Sequence, residues 1–473
     1  MIQNHLENQI LLKLGETPTS GQKQLINKVS DFIMKGSDDE IFLITGYAGT
    51  GKTTAIAAII NALDEFKIKN ILMAPTGRAA KVLSNFSGKQ TLTIHKRIYK
   101  QKSAKDGFGK FVLGPNLATD SFFIVDEASM IGNQSLEGSI FGSGNLMEDL
   151  LEFVYSGKRC KLIIIGDSAQ LPPVNLSESP ALNPSNYKTL GYSTHLICLT
   201  DVVRQTLNSG ILFNATLVRD LISKERNEIP CLQTNKYNDI IKLNGAELIQ
   251  ELDDCYGKYG IEDTIVITRS NKRANIYNAG IRKSILYREE QISAGDYLMV
   301  VKNNYFWLAD DKEMNFIANG DIIQVVRLKK FEERYGFHFV NATVRLIDLD
   351  NREIDVKIIL ETIDIEAAAL TADDNKKLYY NVYEDYMHLK PKKAGYDAVK
   401  TNPYFNALQV KFSYAITCHK AQGGQWKAVF IDQGYFTKDM LNIEYLRWLY
   451  TALTRASGQL YLVNFNKDFL DDD

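Results

Sequence analysis

Between Ile41 and Phe66 the chain runs from a short apolar stretch through a glycine-rich octet into an amphipathic segment, and that order leaves few folds open. The octet is Gly46-Tyr47-Ala48-Gly49-Thr50-Gly51-Lys52-Thr53, the pattern G-x-x-x-x-G-K-[ST]. Its glycines let backbone N–H groups curl around phosphate oxygens, and the helix that follows adds the partial positive charge of its N-terminus. Lys52 is placed to reach β- and γ-phosphates, and the Thr53 hydroxyl to ligate Mg²⁺. Such a loop works only between a buried strand and a helix. IFLIT (41–45) supplies the strand and TTAIAAIINALDEF (53–66) the helix.

The same grammar repeats. NILMAP (70–75), SFFIVD (121–126) and KLIIIGD (161–167) are continuous apolar runs that end in small or polar residues, as parallel strands buried on both faces do. It resumes at DTIVITRSN (263–271), ALQVKFSYAITCHKAQG (407–423) and AVFIDQG (428–434). A doubly wound α/β chain is therefore expected. Residues 100–120 interrupt it as a polar hairpin carrying Phe108 and Phe111. Residues 286–405 alternate apolar and polar positions around Gly-Asp turns, which predicts an inserted antiparallel β module. Its Tyr305, Phe306 and Trp307 suit either base stacking or the module's own core. The N-terminal stretch is apolar at Ile2, Leu6, Ile10 and Leu14, the spacing of a helix docked on the body.

Charge and composition limit the partners. With 55 Lys plus Arg against 57 Asp plus Glu, the net charge is −2, so a polyanion must be held by a local groove. No run approaches the roughly eighteen apolar residues of a membrane span, and the start lacks a signal peptide's basic region. The five cysteines are scattered, without C-x-x-C, which argues against zinc and for a reducing, cytoplasmic setting.

Asp126-Glu127 closes the third strand. Asp126 at the strand tip suits Mg²⁺, and Glu127 suits polarising an attacking water. Followed by Ala128-Ser129-Met130 and by Gly166-Asp167-Ser168-Ala169-Gln170-Leu171-Pro172-Pro173, this pair resembles a superfamily 1B DNA helicase of the RecD, Dda and Pif1-like group. The resemblance follows the chain in order. It implies two RecA-like P-loop domains with parallel sheets: 1–205 with a hairpin insertion at about 100–120, then 206–285 plus 406–473. The insertion at 286–405 would be an SH3-like module.

It also implies residue roles. Lys52, Glu127, Gln170, Arg204 and Arg455 are the expected catalytic set, with Thr53 and Asp126 at the metal. Gln22, Gly46, Gly49, Gly51, Thr54, Gln422, Gly423 and Gln425 are expected around ATP. Pro75, Thr76, Arg78, Thr93, His95, Thr417, His419 and Lys420 are expected on single-stranded DNA, with Phe108 and Phe111 as candidates for parting the strands. Two departures stand out: Ser168 where relatives often have proline, and Gln425 where many have glutamate. The implied activity is ATP-driven 5′→3′ translocation on single strands and at single/double-strand junctions, by a monomer. An ATP-switched nucleic-acid-binding subunit and an RNA-directed translocase remain alternatives.

Overall fold

The computed structural model describes residues 2–37, 39–101, 111–134, 141–203, 208–308, 316–347 and 351–471. Two parallel sheets and one barrel organise them. The first sheet has six strands in the order Thr91–Thr93, Lys69–Ala74, Ser121–Val125, Lys161–Gly166, Glu40–Gly46 and Ser193–Leu199. Residues alternate between its faces: Phe42 and Ile44 pack toward one layer of helices, Ile41 and Leu43 toward the other. Both faces of the four inner strands are covered, which is why these read as apolar runs. The expected N-terminal helix forms over Ile2–Leu14, burying Leu6, Ile10 and Leu14 in the layer shared with Lys52–Glu65.

The second sheet has five parallel strands in the order Ala415–Thr417, Thr264–Thr268, Trp426–Asp432, Ala456–Val463 and Ile240–Leu243. Together the sheets give the expected pair of RecA-like domains. The inserted module is a closed barrel of Tyr297–Val300, Ile322–Arg334, Phe337–Leu346, Arg352–Ile359 and Leu408–Phe412. Two details differ from the sequence reading. Leu408–Phe412, expected to resume the second α/β domain, instead closes the barrel, pairing antiparallel with Tyr297–Val300 and parallel with Arg352–Ile359. All five of its residues are buried, yet Leu408, Val410 and Phe412 alternate with Gln409 and Lys411, the pattern of a barrel strand rather than of a central parallel one. The module also carries two helices, Ala372–Glu384 and Lys392–Lys400, inside the stretch read as β.

The hairpin exists: Tyr99–Gln101 pairs antiparallel with Phe111–Leu113. Phe111 is not at a tip, however. It is 3% exposed, 4.2 Å from the Tyr305 ring and 4.9 Å from Phe141, with Tyr305 in turn 5.1 Å from Phe316. A ring buried in a four-aromatic cluster cannot also stack on a terminal base pair, so Phe111 is withdrawn as a strand-parting residue. Phe108 lies outside the described residues. The cluster joins the hairpin's base to the barrel, and Lys96 and Asp321, both buried, add a 3.8 Å ion pair across the same boundary. Tyr305 thus belongs to packing rather than base stacking. So does Trp307, whose Nε1 donates to the Asn406 carbonyl at 2.9 Å. Phe111→Ala should cost about 3–5 kcal/mol, read as a lower urea midpoint. An unchanged midpoint would mean that the ring is not part of the core.

Candidate functional site: a nucleotide cleft and a nucleic-acid groove

Strand register assembles the cleft. Thr45 pairs with Gly166 on one side and Cys198 on the other, so the loops after these strands emerge side by side. Met73 pairs with Val125, which sets Asp126 level with Ala74, one residue before Pro75, at the same carboxyl edge of the sheet. Ligands in open α/β sheets bind at that edge. Gly49 and Gly51 adopt φ of +76° and +71°, and a Cβ on Gly51 would stand 2.5 Å from Gln22 Nε2. The loop therefore needs glycine both for its turn and for the approach of Gln22.

A cavity of about 410 Å³ opens there. Its walls include Gln22, Gly49, Gly51, Lys52, Thr53, Thr54, Asp126, Glu127 and Gln170 from the first domain, and Gln425 and Arg455 from the second. Gly46 lies at its base, with Lys52 and Leu199 packed so closely that a Cβ there would meet both at 3.0 Å. Lys52 Nζ donates to the Tyr47 carbonyl at 2.8 Å and stands 3.8 Å from Asp167 Oδ2. Gln22 caps its own helix reciprocally with Thr19 and donates to the Thr50 carbonyl, which ties the base-side wall to the P-loop.

The acidic pair is electrostatically tense. Burial, and then the charge of Glu127, push Asp126 up to about 7, although it accepts the Glu127 N–H at 2.8 Å. Glu127 itself sits at φ +52°, a left-handed conformation that costs a non-glycine residue energy and that tends to be kept where geometry matters for function. Gln170 is 5% exposed and its Oε1 has no hydrogen-bond partner among the described residues. An unsatisfied buried amide on the cavity wall suits a sensor that waits for a phosphate or its water. The donor set at Thr53 and Asp126, a hydroxyl and a carboxylate, fits Mg²⁺, which takes most of its other ligands from phosphate and water. Arg455 is held in place by its own domain, where its guanidinium donates to the carbonyls of Thr451 and Gly424, both at 3.1 Å, and to Thr454 Oγ1 at 3.2 Å.

Comparison with known proteins follows this architecture. An AAA domain model matches residues 18–220, and a UvrD-like helicase C-terminal domain model matches 412–463. The ATP-dependent RecD2 DNA helicase of Deinococcus radiodurans is 30% identical over 455 residues, covering 94% of this chain and 50% of its own. These matches make the chain similar to the superfamily 1B helicases of the RecD and Dda group. The Dda helicase of Enterobacteria phage T4 is 28% identical over 340 residues, 68% of this chain and 70% of that one. A solved Pif1 helicase from Candida albicans aligns over 96% of both chains at 15% identity, with a TM-score of 0.47. The chain spans half the length of its RecD2 relative.

Several expected residues either lie elsewhere than sequence placed them or are not described. Arg204 is outside the described residues, although Val203 reaches the cavity wall. Gln422 and Gly423 do not line the cavity. Gln422 is buried between the domains, donating to the Leu171 carbonyl at 2.6 Å, and Gly423 packs on Ala79 so closely that a Cβ would be 2.7 Å away. Both therefore join the domains instead of touching ATP. Arg78, expected on DNA, lays its guanidinium over the Trp426 ring at 4.0 Å, again across the two domains.

The remaining DNA-binding candidates occupy matching positions in the two sheets. Pro75, Thr76, Thr93 and His95 lie at the ends of the edge strand Thr91–Thr93 and its neighbour Lys69–Ala74, where Ala74 pairs with Thr93. Thr417, His419 and Lys420 follow the edge strand of the second. Thr76 and Thr93 already cap the helices they begin, accepting from Ala79 N–H and Lys96 N–H. His95 packs 4.9 Å from Phe141, and burial holds it down to about 4, so it is a neutral ring. Burial also depresses His419.

Burial and then the charge of Lys411 hold Lys420 down to about 8. A depressed lysine carries its charge below that value and loses it above. The helicase's affinity for single-stranded oligonucleotide should therefore fall by roughly five- to tenfold between pH 7 and pH 9 at constant ionic strength. Lys420→Arg should flatten the profile, as read by fluorescence anisotropy. An identical profile in the variant would take Lys420 off the phosphate backbone.

Proposed function

We propose that this helicase hydrolyses ATP to move 5′→3′ along single-stranded DNA and to unwind the duplex ahead of it. The observation that carries this reading is the shared cavity, where the P-loop and Asp126-Glu127 of one domain face Gln425 and Arg455 of the other. A site split in this way is complete only when the domains are apposed. ATP held by Gln22 and the P-loop draws the cleft shut. Lys52 and Arg455 then bracket the phosphates from opposite walls, and Glu127 orients the attacking water. Mg²⁺ bound through Thr53 and Asp126 supplies charge neutralisation between the phosphates. Hydrolysis removes the charge that held the walls together, and the cleft reopens. With one set of grip residues at the edge of each sheet, the strand is advanced when the two grips tighten alternately.

The 5′→3′ direction is what the motif resemblance to superfamily 1B implies. The test is ATP hydrolysis with and without single-stranded DNA, then unwinding of 5′-tailed and 3′-tailed duplexes, with an RNA-tailed arm. Stimulation of tenfold or more, and unwinding of the 5′-tailed substrate alone, are expected. Hydrolysis indifferent to DNA would leave an ATP-switched binding subunit as the better reading, and preference for the RNA tail would change the substrate.

A further inference from the structure

The loop that follows the strand Lys161–Gly166 belongs to the first domain by sequence, yet the second domain supplies many of its hydrogen bonds. From one face of the helix Ile443–Leu453, Arg447 donates to the Gln170 carbonyl at 3.1 Å and to the Ser168 carbonyl. Thr451 Oγ1 accepts the Leu171 N–H at 2.8 Å. Between them stands Tyr450, 1% exposed. Its Oη accepts the P-loop N–H of Ala48 at 2.8 Å and donates to Asp167 Oδ2 at 2.7 Å. Asp167 is 2% exposed, accepts the Ala169 N–H at 2.9 Å, and faces Lys52 Nζ at 3.8 Å. One hydroxyl from the second domain thus touches both the P-loop backbone and the carboxylate opposite its lysine.

We propose that Tyr450 is a positioning residue through which apposition of the second domain sets Lys52 for the γ-phosphate. The proposal rests on the ATP-driven reading above and adds the route by which closure is felt at the P-loop. With Oδ2 engaged by the phenol, Asp167 keeps Lys52 at a stand-off instead of in a tight pair, so the ammonium is free to follow charge onto the phosphate. Without the hydroxyl, the Ala48 N–H and one lone pair of Asp167 lose their partner in a buried place, where such groups are costly to leave unpaired. Burial and the adjacent Asp167 raise Tyr450 well above a free phenol, so the proton it donates stays in place. Because the contact exists only when the domains meet, its loss falls on the closed, hydrolysing state and spares initial capture of ATP.

Tyr450→Phe keeps the ring and removes only the oxygen. In the full chain with saturating oligothymidylate, kcat for ATP should fall by about tenfold or more while KM changes less than about threefold. The melting temperature should hold. Asp167→Asn should also be slow, and Tyr450→Phe should add little in that background, since both act through Lys52. A wild-type kcat in Tyr450→Phe overturns the proposal, as does a loss that tracks a fallen melting temperature or that multiplies independently with Asp167→Asn. If the wild-type chain itself shows no DNA-stimulated hydrolysis, the failure lies in the proposed function and takes this inference with it.

Discussion

Lys52→Ala should leave no measurable DNA-stimulated ATP hydrolysis. The Lys52 side chain is 15% exposed and sits on the wall of the nucleotide cavity; among the described residues its ammonium is held by one carbonyl hydrogen bond and a 3.8 Å stand-off from Asp167. It is therefore available to a phosphate. A unit charge about 4 Å from another contributes about 4 kcal/mol at the effective dielectric of a protein surface, or roughly a thousandfold in rate. Arginine is not an equivalent replacement, because a planar fork does not fit where a compact ammonium sits between Tyr47 and Asp167. Lys52→Ala removes only the methylene stem lying against Gly46 at the end of its strand, so its unfolding midpoint should stay near wild type. Turnover within tenfold of wild type would remove the P-loop from the chemistry. A coupled assay of phosphate release decides it.

How much of this was legible in the sequence depends on whether the cause was local. The P-loop, the Asp126-Glu127 pair and their strands were readable because a strand buried on both faces is apolar at every position. The strand Ser193–Leu199 escaped notice because only Ile197 and Leu199 of its seven residues are buried, and His195 interrupts the pattern. Leu408–Phe412 reads with the second sheet because only Ser413 and Tyr414 separate it from Ala415–Thr417, which does belong there; its own alternation of Leu408, Val410 and Phe412 with Gln409 and Lys411 is that of the barrel. Long-range partners were the least legible. Nothing near Arg78 announces Trp426, and nothing near Phe111 announces Tyr305. Tyr450 stands five residues before Arg455 on a helix, where a tyrosine at helical spacing reads as core. Its hydroxyl has a role only because Ala48 and Asp167, about 400 and 280 residues distant, converge on it.

Glu127→Gln should separate binding from chemistry. The side chain keeps its size, and an amide is at least as tolerant of the left-handed backbone at φ +52° as a carboxylate, so the loop has no reason to refold. Removing the charge also relieves part of what pushes Asp126 upward, which favours its ionised, cation-binding form. ATP affinity should therefore persist or rise slightly. What disappears is the anionic oxygen that accepts a proton from water as it attacks, since a neutral amide oxygen is a far weaker base. A general base of this kind contributes about 10²–10⁴-fold, so turnover should fall by at least about a hundredfold. Fluorescent-nucleotide binding and single-turnover hydrolysis measure the two quantities separately. Tight binding with slow turnover assigns Glu127 to the attacking water. If binding collapses along with turnover, the strained carboxylate is holding the loop in shape, and the base must be sought elsewhere on the cavity wall.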